Sequence, residues 1–154
     1  MKKIDTINFK KALSKFTTGV TVICVNEKNK IYAKTVNSFN SLSLNPPLVL
    51  FSLGNYSSSI KTYLKSEFLT INILSKKQKN ISNYYSKKNP IAKKIDFFEG
   101  KNNSSLIKGC VANLECKLTD KIKKGDHIIF ICKVVNIYIN DKIKPLSYYN
   151  SKYY

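Results

Sequence analysis

The sequence predicts a mainly β protein, an antiparallel barrel or sandwich with two or three attached helices. Three observations carry this. β-Branched and aromatic runs recur along the chain and dominate its last third. They do not alternate regularly with helical patterns, as a parallel sheet would require. No glycine-rich strand-to-helix turn follows any of them, which argues against a Rossmann domain and its dinucleotide fingerprint.

Taken in order, the first element is a helix from about Thr6 to Lys15. Asp5 or Thr6 caps it, and Ile7, Ala12, Leu13 and Phe16 share one face. Thr17-Thr18-Gly19 breaks it. Val20 to Val25 is a strand, residues 26–30 a turn, and Ile31 to Phe39 the returning strand. Pro46-Pro47 opens the next strand, Leu48 to Leu53, where a proline need not donate to the ladder. Ser57 or Ser58 caps a short helix ending near Lys65. Phe68 to Leu74 alternates as a strand, and Lys76 to Lys88 reads as a helix stopped by Asn89-Pro90. Asp96 to Ser105 reads as a polar loop. Ile107 to Leu118 and Ile128 to Ile139 are long strands separated by a turn at Asp120 to Asp126, and Pro145 to Tyr149 closes the chain.

The 154 residues predict a single domain, 1–154, and the 43% hydrophobic content excludes a disordered chain. No signal-peptide core is visible, because Asp5, Lys10, Lys11 and Lys15 interrupt the apolar residues after Met1-Lys2-Lys3. Pro46 to Leu53 and Ile128 to Cys132 are too short to span a bilayer. The expectation is a soluble cytoplasmic protein with no membrane partner.

The formal net charge of +18 has two readings. One is a binder of nucleic acid or an anionic membrane; the other is a solvated lysine-rich surface. The second is favoured, so no specific nucleic-acid partner is expected. The chain contains no arginine, the usual residue for bidentate phosphate and guanine contacts, and its lysines are dispersed. Cys24, Cys110, Cys116 and Cys132 form no CxxC pair, and one histidine is too few for an ordinary zinc set. All four read as buried reduced thiols, and no metal is expected.

The chain carries few catalytic groups of its own. It has no nucleophile elbow, no HExxH and no carboxylate pair in an apolar setting. An enzyme with this equipment borrows a cofactor. The unusual segment is Thr35 to Leu53, where small hydroxyl and amide side chains lie between two apolar strands. Such a surface suits a flat heteroaromatic ring with polar edges. The same composition also serves an ordinary connection built of local turns.

This segment, from Thr35-Val36-Asn37-Ser38-Phe39 through Pro46-Pro47-Leu48-Val49-Leu50-Phe51-Ser52-Leu53, closely resembles the signature of the flavin reductase-like family. Phe16-Thr17-Thr18-Gly19-Val20-Thr21-Val22 is similar to the family's opening element. Phe68 to Leu74 with Gln78, Phe98-Glu99-Gly100 and Ala112-Asn113-Leu114-Glu115-Cys116 resemble its middle blocks. Gly125-Asp126-His127-Ile128-Ile129-Phe130 and Pro145-Leu146-Ser147-Tyr148-Tyr149 resemble its last two. The blocks follow in family order from about residue 9 to residue 154.

The resemblance implies a six-stranded antiparallel Greek-key split barrel with flanking helices, working as a homodimer. It implies FMN, or FAD, as cofactor and NADH or NADPH as hydride donor, with reduced flavin passing to a partner monooxygenase. Thr35, Val36, Asn37 and Ser38 match the flavin-contacting strand, and Ser41 falls near the ribityl and phosphate region. Ser52, Leu53 and Gly54 line the next strand end. Ser57, Ser58 and Ser59, at a helix start, suit a phosphate, and Lys61 adds charge. His127 is implied to position the nicotinamide, and Tyr148 and Tyr149 either close over the nucleotide site or pack the C-terminal edge. Hydride transfer asks a protein mainly for placement, which fits a chain with one histidine.

Two departures stand out. Ala33, followed by Lys34, occupies the place where the family usually has glycine, and Asn45 replaces the usual aspartate before Pro46-Pro47. The competing readings are a noncatalytic flavin- or haem-binding split barrel, a small-barrel nucleic-acid binder, and a pyridoxamine-phosphate oxidase relative. The first would not need His127; the second predicts steep salt dependence and indifference to flavin. The third should carry more basic phosphate contacts than this chain has.

Overall fold

The computed structural model describes residues 4–28, 30–87 and 95–154. Helix α1 (Thr6–Leu13) starts where Asp5 accepts from the backbone amides of Ile7 and Asn8, at 3.3 and 3.1 Å. This is an N-cap as the sequence suggested. Its apolar side chains, however, are not buried among the described residues: Ile7, Phe9, Leu13 and the following Phe16 are all exposed.

The principal sheet has the order β3-β2-β6-β9-β10-β5-β4, with every neighbour antiparallel. Its strands are β2 (Thr21–Glu27), β3 (Lys30–Val36), β4 (Asn40–Leu44), β5 (Pro47–Gly54), β6 (Phe68–Ile73), β9 (Ala112–Lys124) and β10 (His127–Ile139). That is one strand more than the six expected, and the ladder does not close. β6 returns to pair with β2 rather than with β5, a Greek-key type of connection. The extra strand is β4, which forms a hairpin with β5 inside the polar stretch that had also suited an irregular connection.

Alternation explains the layers. On β2, Ile23 and Val25 face a core shared with Phe51, Leu69, Ile71 and Phe130, where Phe51 and Phe130 stack at 5.1 Å. Val22 and Cys24 face the other way, into a second cluster with Leu74, Tyr85, Ile107 and Leu146. β2 is therefore buried on both faces, which is why it reads as an unbroken apolar run. Helix α2 (Ile60–Lys65) plugs one end through Tyr63, whose hydroxyl donates to the Ile23 and Tyr32 carbonyls at 2.9 and 3.3 Å.

The expected helix over Lys76 to Lys88 is a 3-10 turn at Lys76–Gln78 followed by α3 (Lys79–Ser86); its expected stop at Asn89-Pro90 lies outside the described residues. The expected loop over Asp96 to Ser105 instead contains β7 (Phe97–Glu99), paired with β8 (Ser105–Ile107). Gly109, at φ 78°, separates β8 from β9. The turn after β9 is also shorter than expected. His127 pairs with Lys124, so only Gly125 and Asp126 connect them, and Gly125 takes φ 57°, a conformation open to glycine at little cost. β1 (Thr18–Gly19), β11 (Ser147–Tyr149) and β12 (Lys152–Tyr153) form a separate small sheet.

All four cysteines are free and buried. Burial pushes the Cys24, Cys110 and Cys132 thiols up to about 12, so they are inert as nucleophiles near neutral pH. Among the described residues no group of histidine, cysteine and carboxylate side chains is arranged to hold a metal, and no helix is long and apolar enough to cross a membrane.

Candidate active site

A cavity of about 520 Å³ lies where β3 ends, beside the end of β5 and the start of β10. Its walls include Thr35, Val36, Asn37 and Ser38 from one side, Ser52, Leu53 and Gly54 from another, then Ser57, Ser58 and His127. The fold thus brings together most of the residues the sequence singled out.

The local chemistry explains the wall. β3 pairs only with β2, so its other edge presents unpaired backbone groups. Thr35 Oγ1 donates to the Ser82 carbonyl of α3 at 2.8 Å, and Thr21 Oγ1 donates to the Val36 carbonyl at 3.2 Å. Ser38 Oγ accepts from the Ser52 amide at 3.0 Å and donates to the Ser52 carbonyl at 3.1 Å. One side chain thereby bridges the corner after β3 to β5, across the gap in the ladder. The O–H donors of Thr35 and Ser38 are engaged by the wall itself. What this segment offers a ligand is its backbone edge, the Asn37 amide and the accepting lone pairs of these hydroxyls.

His127 opens β10 opposite Gly54, and the two turns are laced by the Asn55 amide donating to the Asp126 carbonyl at 2.9 Å. His127 Nδ1 lies 2.7 Å from Asp126 Oδ1. That hydrogen bond, helped by the charge of the imidazole, holds the Asp126 carboxyl below its ordinary value. When the ring is neutral and Nδ1 donates to Asp126, Nε2 is the nitrogen that accepts. Tyr56 stands edge-on to His127 at 6.4 Å, and its ring covers Gly54, where a Cβ would meet it at 2.7 Å.

The other expected residues do not line this cavity. Ser41 sits on β4, and Lys61 is exposed on α2. Ser59 is the N-cap of α2 but makes no side-chain cap bond. Tyr148 packs on Tyr153 at 5.2 Å in the small sheet, and Tyr149 lies beside Tyr154. Three lining residues went unassigned: Lys34, Tyr56 and Ser86. Lys34 was visible as a departure from the family pattern; nothing in the sequence marks Tyr56 or Ser86. Lys34 Nζ donates to the Ser86 and Lys87 carbonyls at 3.4 and 3.0 Å, and partial burial lowers its pKa from the ordinary lysine value.

A larger cleft of about 800 Å³ lies elsewhere, between the β2–β3 tip and the β7–β8 hairpin. It contains none of the expected site residues, and Glu27, Glu67 and Glu99 line it. Lys28, Lys30 and Lys65 line it too, so its charge is balanced; the smaller cavity is the better candidate because it gathers the expected site residues.

An open-ended antiparallel barrel with a hydroxyl- and amide-lined cavity at the gap defines a small-molecule binding protein of the split-barrel kind. Residues 13–154 match the family model described as flavin reductase like domain, and the chain belongs to that family. It is 32% identical over 147 residues to a probable flavin reductase of Rhizobium meliloti, covering 93% of this chain and 46% of that one. It is 33% identical over 128 residues to an FMN reductase (NADH), SmoA, of Agrobacterium fabrum, covering 83% of this chain and 74% of that one. It is also similar to a solved flavin reductase structure in its native state, with TM-score 0.92, 33% identity, and coverage of 98% of this chain and 97% of the other. The chain spans about half the length of some curated relatives, including the first of these.

The residues fit a flavin nucleotide. The open β3 edge and Asn37 suit the polar rim of the ring, Val36 and Leu53 its apolar body, and the serine hydroxyls a ribityl phosphate.

Proposed function

We propose that the chain is an NAD(P)H:flavin oxidoreductase of the FMN reductase type that supplies reduced flavin to a partner monooxygenase. The observation that carries this is the single cavity joining the Thr35–Ser38 edge, the Ser52–Gly54 strand end, Ser57, Ser58 and His127. When bound, the flavin takes up the two electrons that a reduced nicotinamide gives. The backbone edge of β3 and Asn37 orient it, with Val36 and Leu53 against its apolar surface. Ser57 and Ser58 hold the ribityl phosphate through hydroxyls rather than through a helix dipole, because α2 has only six residues. His127, its Nδ1 engaged by Asp126, presents Nε2 to the nicotinamide carboxamide and sets its distance from the flavin.

The protein works as a cytoplasmic homodimer in this reading. Support comes from the uncovered apolar side chains of α1 and its surroundings, Ile7, Phe9, Leu13 and Phe16, together with Leu44, which is 94% exposed. Tyr148 and Tyr149 of the small sheet then serve the nucleotide side of the assembled site.

The test is to purify the protein, record its visible spectrum and mass in solution, and follow NADH oxidation with and without added FMN. The expected result is a dimer that oxidises NADH only when flavin is present. A noncatalytic flavin binder would show the spectrum without turnover. Absence of both flavin binding and turnover would overturn the proposal.

A further inference from the structure

A flavin mononucleotide carries a phosphoryl dianion that a binding site must neutralise. This chain has no arginine for the task, and the lysine that sequence spacing favoured, Lys61, does not line the cavity. Among the described residues the cavity holds one lysine, Lys34.

Topology places Lys34 at the phosphate end. Each neighbouring pair in the ladder is antiparallel, and β3 lies five steps from β5, so the two strands run in opposite directions. They meet where Ser38 bonds Ser52. Stepping back along the chain from Ser38 to Lys34 therefore runs alongside stepping forward from Ser52 to Tyr56 and Ser57. Lys34 and the Ser57-Ser58 pair belong to the same end of the cavity.

The ammonium's present partners also matter. It donates to two carbonyls at the C-terminus of α3, those of Ser86 and Lys87, and Ser86 itself lines the cavity. Carbonyls at a helix C-terminus carry partial negative charge and would repel a phosphate. Lys34 masks them. An ammonium has three donors and two are engaged, leaving one for an anion without breaking the others.

We propose that Lys34, rather than Lys61, is the cation that contacts the phosphoryl group of bound flavin mononucleotide and sets the preference for the nucleotide over the uncharged nucleoside. This rests on the flavin reading of the cavity. It also gives a use to the residue at which the chain departs from its family's pattern. Loss of solvent already disfavours the Lys34 ammonium, and a phosphate beside it would offset that cost.

The experiment titrates the whole protein with FMN and with riboflavin, following flavin fluorescence, for the wild type, Lys34→Met, Lys34→Gln, Lys34→Arg and Lys61→Met. The expected result is that Lys34→Met weakens FMN binding by about tenfold to a hundredfold, as loss of a charge-assisted contact should. Riboflavin affinity should stay within about twofold, Lys34→Arg should recover part of the loss, and Lys61→Met should change little. Retained riboflavin binding also reports an intact fold, and Lys34→Gln gives the same reading should the methionine variant not fold. Equal losses for both flavins, no loss at Lys34, or the selective loss appearing at Lys61 instead would each overturn the assignment. A wild type that binds neither flavin would end the flavin reading itself, and this proposal with it.

Discussion

Of two depressions among the described residues, the smaller is the better site. The cleft of about 800 Å³ is walled by residues of β2, β3, β6 and the β7–β8 hairpin and carries three carboxylates and three lysines. The cavity of about 520 Å³ is walled by strand ends whose positions are fixed by side-chain bonds, Ser38 to Ser52 and Thr35 to Ser82. Size did not distinguish them. What did was the convergence of Thr35–Ser38, the Ser52–Gly54 strand end, Ser57, Ser58 and His127 on the smaller one. A ligand site is built on elements whose positions are held by packing and side-chain bonds.

Four changes test that contrast. The largest effect on stability belongs to the hairpin beside the larger cleft. A Cβ on Gly100 would run into the carboxylate of Glu115 and meet Leu106 Cδ1 at 2.8 Å. Glu115 is fully buried, accepting from Asn136 Nδ2 at 2.7 Å, and has no space to retreat. Gly100→Ala should cost about 1–3 kcal/mol in denaturant melts, while the folded fraction keeps its FMN affinity. His127→Ala comes next. It should raise KM for NADH by about tenfold, the worth of one lost hydrogen bond to a polar group, without altering FMN affinity. Ser38→Ala should cost about 1 kcal/mol, since the Ser52 amide and carbonyl lose their partner, and should also weaken FMN binding because the wall loosens.

The smallest effect is at Asp126. Its carboxyl is held below the ordinary 3.8 in the folded protein. A lowered folded value means that its contribution is complete above the ordinary carboxylate range and is lost as pH falls through the lowered value. The pair is exposed at the surface. Asp126→Asn should therefore melt slightly below the wild type near neutral pH, and that small difference should vanish in acid.

Much of this was legible in the sequence because strand periodicity and family blocks are local signals. β2, β5, β6 and β10 fell where alternation or apolar runs put them, and Asp5 capped the first helix. β4 was missed because Asn40-Ser41-Leu42-Ser43 has turn composition and becomes a strand only by pairing with β5. β7 and β8 were missed for the same reason, their pairing being a tertiary matter. The hydroxyls of Thr35 and Ser38, read as ligand contacts, also bond the wall, to Ser82 and Ser52. Residue type fixes what a hydroxyl can bond, not which neighbour the fold supplies. Lys34 was noticed only as an oddity, because its reach toward α3 depends on a helix far along the chain.

The most direct test of the central claim fills each depression in turn. Asn37→Trp would crowd the cavity, and Glu99→Trp would crowd the larger cleft. Fluorescence titration with FMN should show binding reduced by about a hundredfold or more in the first variant and unchanged within about twofold in the second. Loss of FMN binding through Glu99→Trp, with Asn37→Trp still binding, would contradict the account.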